Sequence, residues 1–204
     1  MPADPARRND RARRAILVAA LELLAETSYP ELTVERIAAR AGVGKQTIYR
    51  WWRGKGAVIL DALVEAATAG DGSVPDTGDV AADLRALIRA TVAEFADPRL
   101  SATTRAITIE TLADETLAEQ VRDRLLRPQL DAVRSRLEAG RRVGQVRSDV
   151  DLDQVVELLF GPIYHRWLLR TGPLTEAYAD GVVDLALAAV TPAAPADGRL
   201  DGGR

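Results

Sequence analysis

Between Lys45 and Lys55 the chain sets Lys45, Gln46, Thr47, Tyr49, Arg50, Arg53 and Lys55 around an apolar Ile48 and Trp52. Lys and Gln carry the donors that read guanine and adenine edges, and Arg, Lys and Tyr suit phosphate oxygens. Nothing else in the chain is grouped in this way. His165 is the only histidine and there is no cysteine. The residue types therefore supply no Cys/His metal site, no thiol nucleophile and no disulfide framework. His165 lies beside Tyr164 and Trp167 in an apolar run, a setting that suits a hydrogen-bonded core or interface group better than a ligand or switch. Gly140-Arg141-Arg142-Val143-Gly144 lacks the Lys-Ser/Thr end of a phosphate-binding loop and follows no strand pattern. The carboxylates are scattered over polar faces. No metal or cofactor is expected, and an enzyme in the helical part of the chain lacks an acid–base cluster to work with.

Two short helices would position the cluster. Val34, Ile37, Ala38 and Ala41 recur at i, i+3, i+4 and i+7. Thr33 precedes them as an N-cap, and Gly42 follows, able to take a positive φ and end the helix. Val43 plugs the corner. The second helix turns Ile48 and Trp52 inward at i, i+4 and leaves Lys45, Gln46, Tyr49, Arg50 and Arg53 on its other side. That is a helix-turn-helix with a basic outer face. Pattern alone also allows an αα-hairpin with a merely solvated face.

The residues narrow this choice. Gly42-Val43, Thr47-Ile48-Tyr49-Arg50 and Gly54-Lys55-Gly56-Ala57 resemble the DNA-binding signature of TetR-family transcriptional regulators, in register over roughly residues 11–60. The resemblance implies a second helix that enters the major groove. Lys45, Gln46 and Thr47, at its leading end, are the expected base contacts. Tyr49 and Lys55 carry over as phosphate contacts, Arg50 and Arg53 add cations, and Thr33 can hold a phosphate at a helix N-terminus. Two departures stand out. Gly44 replaces a polar residue common in the family, which removes one base or phosphate contact. Trp51 and Trp52 occupy positions where a His or aromatic and then a Phe are usual.

The chain has 204 residues, 47% hydrophobic and 28% charged, the balance of a folded globular protein. Net charge is −3, yet residues 1–56 carry eleven Lys and Arg against six Asp and Glu. This surplus of five leaves a deficit of eight for the remainder: a basic head on an acidic body. The divisions expected are a disordered basic arm over 1–10, a helix-turn-helix domain over 11–56, a helical effector-binding and dimerisation domain over 57–190, and a disordered tail over 191–204. Residues 57–70 would form a connecting helix, and the Gly/Asp-rich stretch from Gly70 to Gly78 is the best loop. No leader and no bilayer-spanning run are expected, in keeping with a cytoplasmic protein.

An all-α fold is expected throughout. Leu84, Leu87, Ile88, Val92 and Phe95 form a stripe stopped near Asp97-Pro98. A shorter helix holds Ile107 to Leu112. A long pattern from Asp114 contains Pro128, which predicts a kink or two helices, and ends near Gly140 or Gly144. Asp151 with Gln154 opens a helix to about Arg170, and Thr175 caps the last, to Val190. Those final two helices are apolar most of the way round. Val155, Leu158, Leu159, Pro162, Val182, Val183 and Leu185 either fill a deep monomer core or face a partner; the resemblance implies a homodimer, and hence a palindromic double-stranded DNA operator. It also implies an effector pocket, with Phe95, Ile107, Phe160, Tyr164 and Trp167 as walls and Arg105, Glu110, Thr111 and His165 as polar groups. The functional expectation is a repressor released by a small organic effector. The alternative is a helical small-molecule-binding protein whose basic head is incidental.

Overall fold

The computed structural model describes residues 5–69 and 74–192, all of whose regular structure is helical. Helix α1 spans Pro5–Glu26, α2 Val34–Ala41, α3 Lys45–Tyr49 and α4 Lys55–Ala69. The body follows with α5 Val80–Ala96, α6 Pro98–Ala113, α7 Glu115–Val121, α8 Arg127–Arg142, α9 Leu152–Leu169 and α10 Glu176–Val190.

Several ends form as the sequence predicts. The Thr33 side chain accepts from the Arg36 N–H at 3.2 Å, and Gly42 closes α2 at φ 67°. Asp151 accepts from the Asp153 and Gln154 N–H groups, and Thr175 from that of Tyr178. Other ends differ. The arm expected to be disordered over 1–10 is helical from Pro5, whose fixed φ suits the first turn of a helix; residues 1–4 lie outside the described residues. Asp97-Pro98 ends α5 and also starts α6, which runs sixteen residues rather than being short. The Asp97 carboxylate accepts from the Arg99 and Leu100 N–H groups, and Pro98 fills a first-turn position that needs no donor. Of the expected loop over 70–78, residues 74–78 are described and are not helical, and residues 70–73 lie outside the described residues; of the tail over 191–204, only residues 191–192 are described.

Between α7 and α8 the chain makes a π turn, Arg122–Leu126, with the Arg127 N–H donating to the Arg122 carbonyl. Pro128 has no N–H to give the Arg124 carbonyl, so the α-helical ladder is interrupted there and the turn widens.

Two cores result. In the first, Ile16, Leu17, Ala20 and Leu23 of α1 meet Ile37, Ile48, Trp52 and Val58, Ile59, Leu60 of α4, together with Ile107, Leu117 and Val121 from α6 and α7. The connecting helix thus shares its core with the head, because its buried residues 58–60 and 62 pack in the same cluster as those of α1. The second core joins α5, α8, α9 and α10 through Leu84, Ile88, Leu137, Leu159, Ile163 and Val183. Each fully buried aliphatic side chain contributes about 1.5–3 kcal/mol. A buried ion pair lies beside this core: Arg136 Nη2 and Asp83 Oδ2 are 2.6 Å apart, with side chains 5% and 1% exposed.

Candidate nucleic-acid interface

Helix α3 is five residues long and is held by its inner side. Ile48 is fully buried, and the Trp51 and Trp52 N–H groups both donate to its carbonyl at 2.9 Å, extending the turn to Trp52. Gly44 at the N-cap supplies no capping side chain. The outer side carries Lys45, Gln46, Tyr49 and Arg50, all exposed, with Thr47 half-buried between them and Arg53 exposed just beyond. Lys45 lies 3.9 Å from the Glu35 carboxylate, a loose pair. Arg50 stacks over the Trp51 ring at 4.8 Å and donates to Asn9 Oδ1 at 3.4 Å, which brings the start of α1 alongside the cluster.

Charge is partitioned within the head. Arg40 is bound by Glu22 and Glu26, and Arg13 by Asp61 and Glu65. Arg50 and Arg53 have no carboxylate within ion-pair distance among the described residues. Arg50 and Arg53 thus stand without carboxylate partners beside α3, as do Arg11, Arg14 and Arg36 on α1 and α2, among the described residues.

Lys55, expected as a phosphate contact, is engaged within the chain. It is half-buried, donates from Nζ to the Tyr29 carbonyl at 2.9 Å, and sits 4.1 Å above the Tyr29 ring. It ties the start of α4 to the turn at Tyr29–Glu31, where sequence spacing reads only an outward cation. Thr33 is exposed, its oxygen already engaged with the Arg36 N–H.

The expected ligand set falls in three places. Phe95 and Trp167 stack at 4.9 Å, and Tyr164 stands edge-on to both. Arg105 lies 4.6 Å above the Trp167 ring and donates to the Trp167 carbonyl, while the Trp167 indole donates to Ser101 Oγ at 2.6 Å. Burial pushes the Tyr164 phenol up, with the Glu94 carboxylate adding to the effect, and burial raises Glu94 itself. Phe160 flanks this second core, half-buried. Ile107, in contrast, belongs to the first core, and Glu110 lies against Gly56 at the start of α4. Thr111 bonds back to the Thr108 carbonyl and His165 is exposed. The scatter arises because α6 packs on both cores, so neighbouring residues point to different ones. An open cleft of about 320 Å³ near the ends of α8 and α10 is lined by Arg141, Val146 and Arg147, and by none of these candidates.

The residues expected at a partner contact also divide. Val155, Leu159, Val182 and Val183 are buried within their own chain, because α9 and α10 first pack on α5 and α8. Pro162 is half-buried, while Leu158 and Leu185 are 41% and 72% exposed.

Comparison with known proteins follows the same division of the molecule. Residues 16–68 match the family of bacterial regulatory proteins of the tetR type, and residues 74–186 match the tetracyclin repressor-like C-terminal domain. The HTH-type transcriptional regulator YdeS of Bacillus subtilis is 35% identical, over 86% of this chain and 88% of that protein. The DNA-binding transcriptional repressor TetR of Mycobacteroides abscessus is 29% identical, over 87% of this chain and 92% of its own length. Among solved structures, that of the TetR family transcription regulator SCO0332 superposes with a TM-score of 0.74 at 34% identity, covering 89% of this chain and 99% of that one.

Proposed function

The chain belongs to the TetR family of DNA-binding transcriptional regulators, and from that membership we propose a cytoplasmic homodimeric repressor that holds a palindromic operator and is released by a small organic effector. The observation that carries this reading is the outer side of α3. Lys45, Gln46, Tyr49 and Arg50 project together from a helix anchored by Ile48 and Trp52, with Arg50 and Arg53 lacking a carboxylate partner among the described residues. Lys45, Gln46 and Thr47 read base edges; Tyr49, Arg50, Arg53 and Thr33 hold phosphates and set the register. Lys55 supports this surface from behind by holding α4 to Tyr29.

The dimer face is the outer side of α9 and α10. Leu158 and Leu185 are apolar and exposed there, and Gly161 and Gly181 have open space where a Cβ would stand, which favours close approach of a second copy. Two heads in such a dimer meet successive major-groove half-sites about 34–36 Å apart. The aromatic group of Phe95, Tyr164 and Trp167 favours an apolar or aromatic effector of modest size, entering between α5, α6 and α9.

The deciding experiment is a binding titration on DNA from upstream of the protein's own gene, together with enrichment from a random duplex library. A palindromic duplex bound with a steep inverse salt dependence is the expected result. Binding that never distinguishes sequences would instead leave a helical small-molecule-binding protein with an incidental basic head.

A further inference from the structure

One polar group inside the head takes no part in DNA contact as described above. Asp61, on α4, has a side chain only 14% exposed. Donors from three other elements converge on it. The Trp52 indole donates to Oδ2 at 3.0 Å, Arg13 of α1 reaches the same oxygen at 3.3 Å, and Arg124 of the π turn reaches Oδ1 at 2.7 Å. Burial works to raise the Asp61 carboxyl, and the indole with the two guanidinium groups outweighs it, so the group is held below the ordinary carboxylate range. It is an anion at neutral pH, and its bonds are charge-assisted.

The geometry gives these bonds a direction. Helix α3 has no side-chain cap at its start and a single buried aliphatic anchor, Ile48. Its orientation is therefore set largely by its far end, where Trp52 is buried and its only polar atom is tied to Asp61. Asp61 in turn is tied to Arg124, which belongs to the body. We infer that Asp61 is a positioning residue for the DNA-reading helix, and that Arg124 is the arm through which the body sets it. The inference rests on α3 being the DNA-reading element. A displacement of the π turn pulls on Oδ1, and the carboxylate passes it through Oδ2 to the indole three residues after Tyr49.

The test uses the full-length chain, a duplex enriched from a random library by the wild-type protein, and a scrambled duplex of the same length. Trp52→Phe keeps the buried ring and removes the N–H. Arg124→Ala cuts the body's arm at a side chain 43% exposed, where the fold tolerates truncation. Each variant should lower affinity for the enriched duplex about three- to tenfold, the scale of coupling within one polar network, and leave the scrambled duplex unchanged. The double variant should be no worse than the more severe single. Simple destabilisation lowers both affinities together, so the ratio of the two reports positioning alone. Arg134→Ala, which breaks the Arg134–Asp153 pair elsewhere in the body, should leave that ratio alone. An Arg124→Ala protein with the wild-type ratio, or a double variant that shows the product of the two single losses, overturns the inference. If Trp52→Phe fails to fold, the Arg124→Ala ratio decides. A wild-type protein that enriches no duplex overturns the DNA-reading assignment itself, and the inference with it.

Discussion

Lys45 stands at the leading end of α3 with only the distant Glu35 carboxylate for company. Removing its ammonium should cost about 1–3 kcal/mol on the cognate duplex and relax preference at one base position. Competitive selection with Lys45→Ala checks this; an unchanged preference would move base reading to Gln46 and Thr47. Asp83 makes a stability prediction with a defined pH dependence. Burial alone would raise its carboxyl, but the Thr77 hydroxyl, the Arg136 guanidinium and the Thr77 N–H outweigh it and hold the group low. The unfolded chain therefore takes up this proton first as pH falls. The stabilisation is complete at neutral pH and disappears through and below the ordinary carboxylate range. Asp83→Asn, which leaves the buried Arg136 cation only the exposed Asp76 carboxylate at 3.4 Å, should cost about 3 kcal/mol at pH 7. Urea melts should show the gap to wild type narrowing towards pH 3. At this scale the sequence was legible where local spacing decides: Ile48, Trp52, Thr33 and Thr175 fell where their patterns put them. The Lys55 bond to Tyr29 was hidden, since the two are 26 residues apart and no periodicity links them. The Asp61 bonds to Arg13 and Arg124 were hidden for the same reason.

Helix boundaries read from the sequence held at Thr33, Gly42, Asp151 and Thr175, but the start of α1 at Pro5 was missed. They slipped where one residue pair serves two helices, as at Asp97-Pro98, and where glycine has two possible reasons. Gly140 and Gly144 both look like helix ends. Gly144, at φ 79°, is the one outside α8; Gly140 is inside it, with an added Cβ falling 2.3 Å from Val80 Cγ2 and 3.2 Å from Val146 Cγ2. It is a glycine because the start of α5 presses on α8. Alanine there would gain up to about 1 kcal/mol of helix propensity and lose about 1–3 kcal/mol to overpacking against a stiff β-branched neighbour. The net expectation is destabilisation, relieved by Val80→Ala in the same chain, and thermal melts of the three variants decide it. No sequence spacing carried this, because residues 80 and 140 meet only in the folded body.

Dimerisation belongs to the whole molecule. The exposed positions Leu158 and Leu185 are the ones to change; a charge at the buried Leu159 would unfold the body before it reported on assembly. Glu at both 158 and 185 should give a folded monomer by sedimentation, and a folded dimer would place the contact elsewhere. Loss of the dimer should also weaken operator binding far more than binding to a half-site, since two heads share one duplex. An effector that favours another head separation weakens DNA binding, and DNA weakens the effector by the same factor. The all-helical plan, the basic head and the acidic body were all legible from periodicity and charge. Of the candidate effector residues, Phe95, Tyr164 and Trp167 were named from the sequence and assemble from α5 and α9, whereas those on α6 are divided between two cores.

The π turn at Arg122–Leu126 has a consequence for phase. A residue added to or removed from a helix rotates everything beyond it by about 100°. Leu117 and Val121 before the turn face the head core, whereas Val133, Arg136 and Leu137 after it face the body core. The wide turn is what allows one helical path to serve both. Shortening it by a residue would still leave Pro128 without an N–H to donate, and would swing Arg136 by about 100°, away from Asp83. The segment is thus one where length matters more than side-chain identity: a locally better helix there would be out of step with the body it has to hold.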